Sequence, residues 1–185
     1  MSAHKRATRF LPQHIFSAAS SKSAEMALTF GVLLLLCGFG GLMVSANKCK
    51  EPSCPDGWYL LNDRCFIFVQ QQRIFSDAEQ VCILKGGNLA SIRNALENEL
   101  VMAIIAEAGF AASSTWIGFS DAITEDVFLW TDGSPFKFED FAAIQPDNFG
   151  GTEDCGEINS TNQWNDDDCT DLNNFVCSKD ASCKH

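Results

Sequence analysis

The sequence predicts an α+β domain, and three observations carry that prediction. Two segments with helical apolar periodicity come first, β-like runs bounded by turn residues crowd the second half, and eight cysteines are distributed through the same acidic region. Helices followed by a series of strands, without regular βαβ alternation, is the α+β pattern.

The chain has 185 residues and divides near residue 46. Residues 1–25 are polar and basic, with Lys5, Arg6, Arg9 and Lys22 against Glu25. Residues 26–46 carry no charge and centre on Val32-Leu33-Leu34-Leu35-Leu36. The favoured reading of 1–46 is an N-terminal extension plus a signal peptide, because Val44-Ser45-Ala46 places small residues where a signal peptidase cuts. The alternative is a signal anchor over 26–46, which is long enough to span a bilayer and would make a type II membrane protein with an extracellular domain. Residues 47–185 form the mature chain in the first reading and face the exterior in both. They hold nine Lys or Arg against 23 Asp or Glu, a net of −14. That sign argues against nucleic acid and anionic membranes as partners, since both reward basic surfaces.

Cys37 lies in the leader; Cys49, Cys54, Cys65, Cys82, Cys155, Cys169, Cys177 and Cys183 follow it. An even count in an exported chain implies a disulfide framework, although sequence alone allows 105 pairings of eight cysteines. Zinc is a poor rival: there is no C-x-x-C pair, and the single His after the leader is His185.

Cys54-Pro55-Asp56-Gly57-Trp58 opens the domain with turn chemistry. Tyr59-Leu60-Leu61 and Cys65 to Val69 read as strands around an Asn62-Asp63 turn. A first helix follows, with Ser76 and Glu79 as a capping box, Ala78, Val81 and Cys82 on one face, and Gly86-Gly87 as its stop. Asn94 caps a second helix whose expected buried stripe is Leu96, Leu100, Val101, Ile104, Ile105 and Ala108. Trp116-Ile117-Gly118-Phe119 and Phe128-Leu129-Trp130 read as buried strands, and Asp154 to Asn159, Trp164 to Asp166 and Asn174 to Cys177 as closing strands. Between them, Phe136 to Thr152 lacks periodicity, and a loop of that length inside a compact domain is usually functional.

That loop opens the chemically distinctive stretch, Gln145 to Cys169. Ten Asp or Glu fall between Phe138 and Ser178 with no Lys or Arg among them. So much like charge is costly to bring together without a counterion. The oxygen-rich side chains suit a hard cation, calcium above all. Catalysis has no support. Gly118-Phe119-Ser120-Asp121-Ala122 has the outline of a nucleophile elbow but no domain histidine to activate its serine, and Asp166-Asp167-Asp168 lacks the Gly and closing Glu of an EF-hand.

Trp116-Ile117-Gly118, Gln145-Pro146-Asp147, Glu153-Asp154-Cys155, Trp164-Asn165-Asp166 and Cys177, in that order and spacing, resemble a C-type lectin domain over about residues 54–178. The resemblance implies a double-looped α+β domain with antiparallel sheets and a long calcium-binding loop. It implies the pairs Cys54–Cys65, Cys82–Cys177 and Cys155–Cys169, leaving Cys49 and Cys183 to pair with each other or to link two chains. It assigns a principal calcium site to Gln145, Asp147, Glu153, Asn165 and Asp166, whose open positions two sugar hydroxyls complete. It gives an auxiliary site to Asp121, Glu125, Asn148 and Asp154, with Glu153 shared, and makes Pro146 similar to a proline that is cis in the family. Gln-Pro-Asp is the motif of family members that take galactose or N-acetylgalactosamine, and Phe149 stands where it can stack on a sugar. Asn159-Ser160-Thr161 is a glycosylation sequon.

The expected function is therefore a secreted, calcium-dependent lectin for glycans ending in galactose or N-acetylgalactosamine. It is not an enzyme; innate defence is the family-level role, and homo-oligomers would supply avidity. The alternatives are an ice-binding protein resembling type II antifreeze proteins, and a calcium-stabilised protein-binding domain on the same scaffold.

Overall fold

A computed structural model describes residues 51–183. The leader, the apolar 26–46 run and Cys49, with the Cys49–Cys183 pair expected of it, lie outside the described residues. No helix of residues 51–183 is long and apolar enough to cross a membrane.

The strands are β1 (Pro52–Ser53), β2 (Tyr59–Leu61), β3 (Arg64–Arg73), β4 (Asn88–Leu89), β5 (Thr115–Ser120), β6 (Leu129–Trp130), β7 (Glu153–Ile158), β8 (Trp164–Asp168), β9 (Asn173–Asp180) and β10 (Ser182–Cys183). The helices are α1 (Phe75–Leu84) and α2 (Ala95–Glu107). The main sheet runs β2-β3-β9-β5-β7-β8, with β4 on β9 and β6 on β5, while β1 and β10 pair separately and bring the two ends of the described chain together. Pairing is antiparallel except between β5 and β9. The α+β expectation and the three internal disulfides, Cys54–Cys65, Cys82–Cys177 and Cys155–Cys169, are all present.

Side chains alternate across a strand, and here the alternation separates two cores. Ile117 and Phe119 of β5 and Val176 of β9 join Val101, Ile104 and Ile105 of α2. Trp116 of β5 and Phe175 and Cys177 of β9 join Phe75, Ala78 and Cys82 of α1. Each helix thus covers one face of the sheet.

Two helix details differ from the sequence reading. Ser76 and Glu79 do not form a capping box: the N-cap is Ile74, without a side-chain cap. Glu79 instead accepts from Asn88 Nδ2 (2.5 Å) and Leu89 N (2.7 Å), tying α1 to β4. In α2, Asn94 does cap Glu97 N, but Leu96 is 53% exposed and Ala108 is exposed as well. The N-terminal part of the stripe is polar. Glu97 turns inward to meet buried Arg64 at 2.7 Å, and that guanidinium also donates to Ser91 O, Ser91 Oγ and Ser178 Oγ. A buried charge pair held by this many hydrogen bonds can occupy core positions that an apolar pattern would assign to leucine.

Phe119 sits at the hub of an aromatic cluster, with ring centroids 5.3–5.9 Å from Phe128, Trp130, Phe136, Phe141 and Trp164. Gly156 makes room for it: a Cβ there would lie 2.3 Å from the Phe119 ring. Phe136 and Phe141 belong to the aperiodic stretch, so this stretch is anchored through its rings.

Candidate metal centre

The long loop reaches the sheet through β8. Trp164 N donates to Asp140 O and Ala142 N to Trp164 O, both at 2.9 Å. Asn98 of α2, 4% exposed, locks the same place, accepting from Trp164 Nε1 (2.9 Å) and donating to Asp140 Oδ2 (2.7 Å). Two residues after Ala142 the chain adopts φ 70° at Ile144, a left-handed conformation that is strained for a β-branched residue. The Gln145–Pro146 bond that follows is cis.

Carboxylate oxygens of Asp147, Glu153 and Asp166 converge to within 4.8 Å of one another. Asp147 comes from the loop, Glu153 opens β7, and Asp166 lies mid-β8, so the Cys155–Cys169 bridge braces the two strands that carry them. Asp166 is 2% exposed. Its oxygens accept from Asp147 N (3.2 Å) and Asn148 N (2.8 Å), which folds the Pro146–Asn148 turn onto the strand. Glu153 Oε2 accepts from Phe149 N (2.6 Å), and Glu153 N donates to Asn148 Oδ1 (3.1 Å). Burial, then the charges of Asp166, Asp147 and Asp167, hold the Glu153 carboxyl above the usual range.

The expected ligands that are not carboxylates bear on whether a cation fits. Gln145 Oε1 is buried and has no hydrogen-bond partner. Asn165, beside Asp166, donates through Nδ2 to Glu157 Oε1 at 3.2 Å, which leaves Oδ1 without a donor among the described residues. The ion pairs of the described residues involve Arg64, Arg93, Glu97 and Asp132, and none includes the converging carboxylates. Three converging acids with no cationic partner, and an orphaned amide oxygen two residues before Asp147 in the chain, are a donor set that fits a hard cation.

The residues expected at an auxiliary site lie on the neighbouring edge. Asp121 follows β5, is 3% exposed, and has one carboxylate oxygen accepting from Asp126 N and the other unpaired. Its main-chain N donates to Asp154 O at 3.2 Å. Glu125 accepts from Asn148 Nδ2 at 2.5 Å, so Asn148 links the two groups of residues. Burial first, with Asp154 and Asp166 adding to it, raises the Asp121 pKa. The convergent three-carboxylate group found among the described residues does not include Asp121, Glu125 or Asp154.

Phe149 is 76% exposed, so it is not an anchor of the loop. Asn159, in the turn between β7 and β8, accepts from Thr161 N and Thr161 Oγ1. The sequence reading passed over Glu157, Asn98 and Ile144. A charged residue at the centre of a buried strand was the available signal for Glu157; nothing local marks the other two.

Comparison with known proteins agrees with this architecture. The profile of the family described as Lectin C-type domain matches residues 71–179. A galactose-specific lectin, nattectin, from Thalassophryne nattereri is 36% identical over 151 residues, covering 81% of this chain and 95% of the relative. A type-2 ice-structuring protein from Osmerus mordax is 38% identical over 147 residues, covering 78% and 82%. Among solved structures, the carbohydrate-recognition domain of the mouse scavenger receptor C-type lectin superposes with a TM-score of 0.64 at 34% identity, covering 70% of this chain and all of that domain. The chain belongs to the C-type lectin domain family, a family of carbohydrate-binding domains.

Proposed function

We propose that the domain binds glycans ending in galactose or N-acetylgalactosamine through a calcium ion held by Gln145, Asp147, Glu153, Asn165 and Asp166. The observation that carries this reading is the convergence of the Asp147, Glu153 and Asp166 carboxylate oxygens within 4.8 Å, with Gln145 Oε1, two residues before Asp147, buried and unpaired. C-type lectin domains generally bind calcium. Calcium takes six to eight oxygens, so five side chains leave open positions where a bound ion polarises two sugar hydroxyls.

The protein's side chains then choose the sugar. Asp147 accepts only, whereas Gln145 and Asn165 can donate through their amide nitrogens. The Gln-Pro-Asp order sets which hydroxyl meets an acceptor and which meets a donor. Exposed Phe149 offers a ring face to the apolar side of the sugar. The relative named as galactose-specific supports this choice. The auxiliary residues Asp121, Glu125, Asn148 and Asp154 are proposed as a second calcium site, and Asn159 as an N-glycan acceptor. Three internal disulfides fit export to an oxidising compartment.

A glycan array probed with and without calcium tests the reading. Galactose- and N-acetylgalactosamine-ended glycans are expected to bind in calcium alone; binding confined to mannose-ended glycans would contradict the sugar assignment. The ice-structuring relative favours a second reading, ice binding on the same scaffold. Thermal hysteresis by a chain that binds no glycan would select it.

A further inference from the structure

We infer that Glu157 is a positioning residue that fixes the side-chain amide of Asn165 with its oxygen free for the cation. The inference rests on the reading that Asn165 is a metal ligand. Glu157 lies in β7 directly across the register from Asn165 of β8 and is 3% exposed. Each of its two carboxylate oxygens accepts from an amide. Asn165 Nδ2 donates to Oε1 and Asn173 Nδ2, at the start of β9, donates to Oε2, each at 3.2 Å.

The ionised carboxylate presents only acceptors to these amides, and the test below is run at pH 8 to keep it in that form. Turning the Asn165 amide over would set its Oδ1 against Glu157 Oε1, acceptor against acceptor, in a place with little water to intervene. One orientation is therefore retained. In it Oδ1 is the atom left over, and oxygen is the atom a hard cation requires. Without the carboxylate, the two amide orientations become comparable in energy, and one of them turns an N–H toward the metal. The same bond uses one of the two Nδ2 hydrogens, so Asn165 keeps one donor for a sugar hydroxyl.

The test is calorimetric calcium affinity at pH 8 of wild type, E157M and E157Q, with melting in calcium-free buffer as the check on folding. E157M keeps volume and removes the acceptors. E157Q keeps a carbonyl able to accept from Asn165 Nδ2 and removes the charge. Loss of an outer-shell partner typically weakens metal binding 10–100-fold, so E157M is expected to bind calcium about tenfold more weakly and E157Q to stay within about threefold of wild type. E157M binding as tightly as wild type would overturn the inference. So would E157Q falling as far as E157M, because charge or packing would then be the cause. If E157M fails to melt cooperatively, E157Q alone decides by the same limit. A wild-type chain that binds no calcium overturns the metal reading, and this inference with it.

Discussion

Gln145 Oε1 and Asp121 Oδ1 are buried acceptors that receive no hydrogen bond, a condition that costs about 1–3 kcal/mol for each group. A cation that takes them as ligands relieves that cost on binding. Glu157 stores a different kind of cost. Its carboxyl is pushed up to about 7, first by burial and then by the charge of Asp167. A carboxyl raised in the folded state holds its proton more tightly there than in the unfolded chain. Its contribution to stability is full below the unfolded value of 4.5 and is lost as pH rises through about 7. Calcium-free protein is therefore expected to be more stable at pH 5 than at pH 8, with Glu157 contributing on the order of 3 kcal/mol. A denaturation midpoint that stays flat or rises with pH across that window would contradict the assignment.

At the scale of elements, the question is how a loop without periodicity holds a site. Its rings supply the answer. Phe141 lies 5.4 Å from Phe119 and 5.8 Å from Trp164, and main-chain bonds on either side of it join the loop to β8. Phe141→Ala is expected to destabilise the domain by roughly 3 kcal/mol, the low end for a phenylalanine truncation because the ring is only partly buried. It should also weaken calcium binding by loosening the approach to Gln145 and Asp147. A variant with the unfolding midpoint of wild type would show that the ring cluster does not hold the loop. The same elements explain what could be read in advance. Strands such as β5, whose four-residue run Trp116 to Phe119 is apolar throughout, carry their signal locally, as does the Asn94 cap of α2. Phe136, Phe138 and Phe141 carry none, because what makes them core is Trp164, far along the chain. Leu96 misled for a related reason: the inward position belongs to Glu97 only because Arg64 from β3 is buried opposite.

At the scale of the whole molecule, the sheet and the disulfides decide which distant residues meet. Cys82–Cys177, 95 residues apart, removes about 4–5 kcal/mol of unfolded-chain entropy in the simplest model and joins α1 to β9. The central strands β5 and β7 then present Asp121 and Glu153 at one edge, and Cys155–Cys169 holds β8 with Asp166 alongside. The acidic residues of the site were legible as a group from their excess of charge and their spacing. Their convergence depends on the pairing of β7 with β8 and on the anchored loop, which the sequence does not state locally. The central claim is that sugar hydroxyls bind through a cation at this convergence. Retention of the full chain on immobilised galactose measures it most directly. The account predicts retention in millimolar calcium, release by EDTA, and no retention of Asp147→Ala. Retention that persists in EDTA would contradict it.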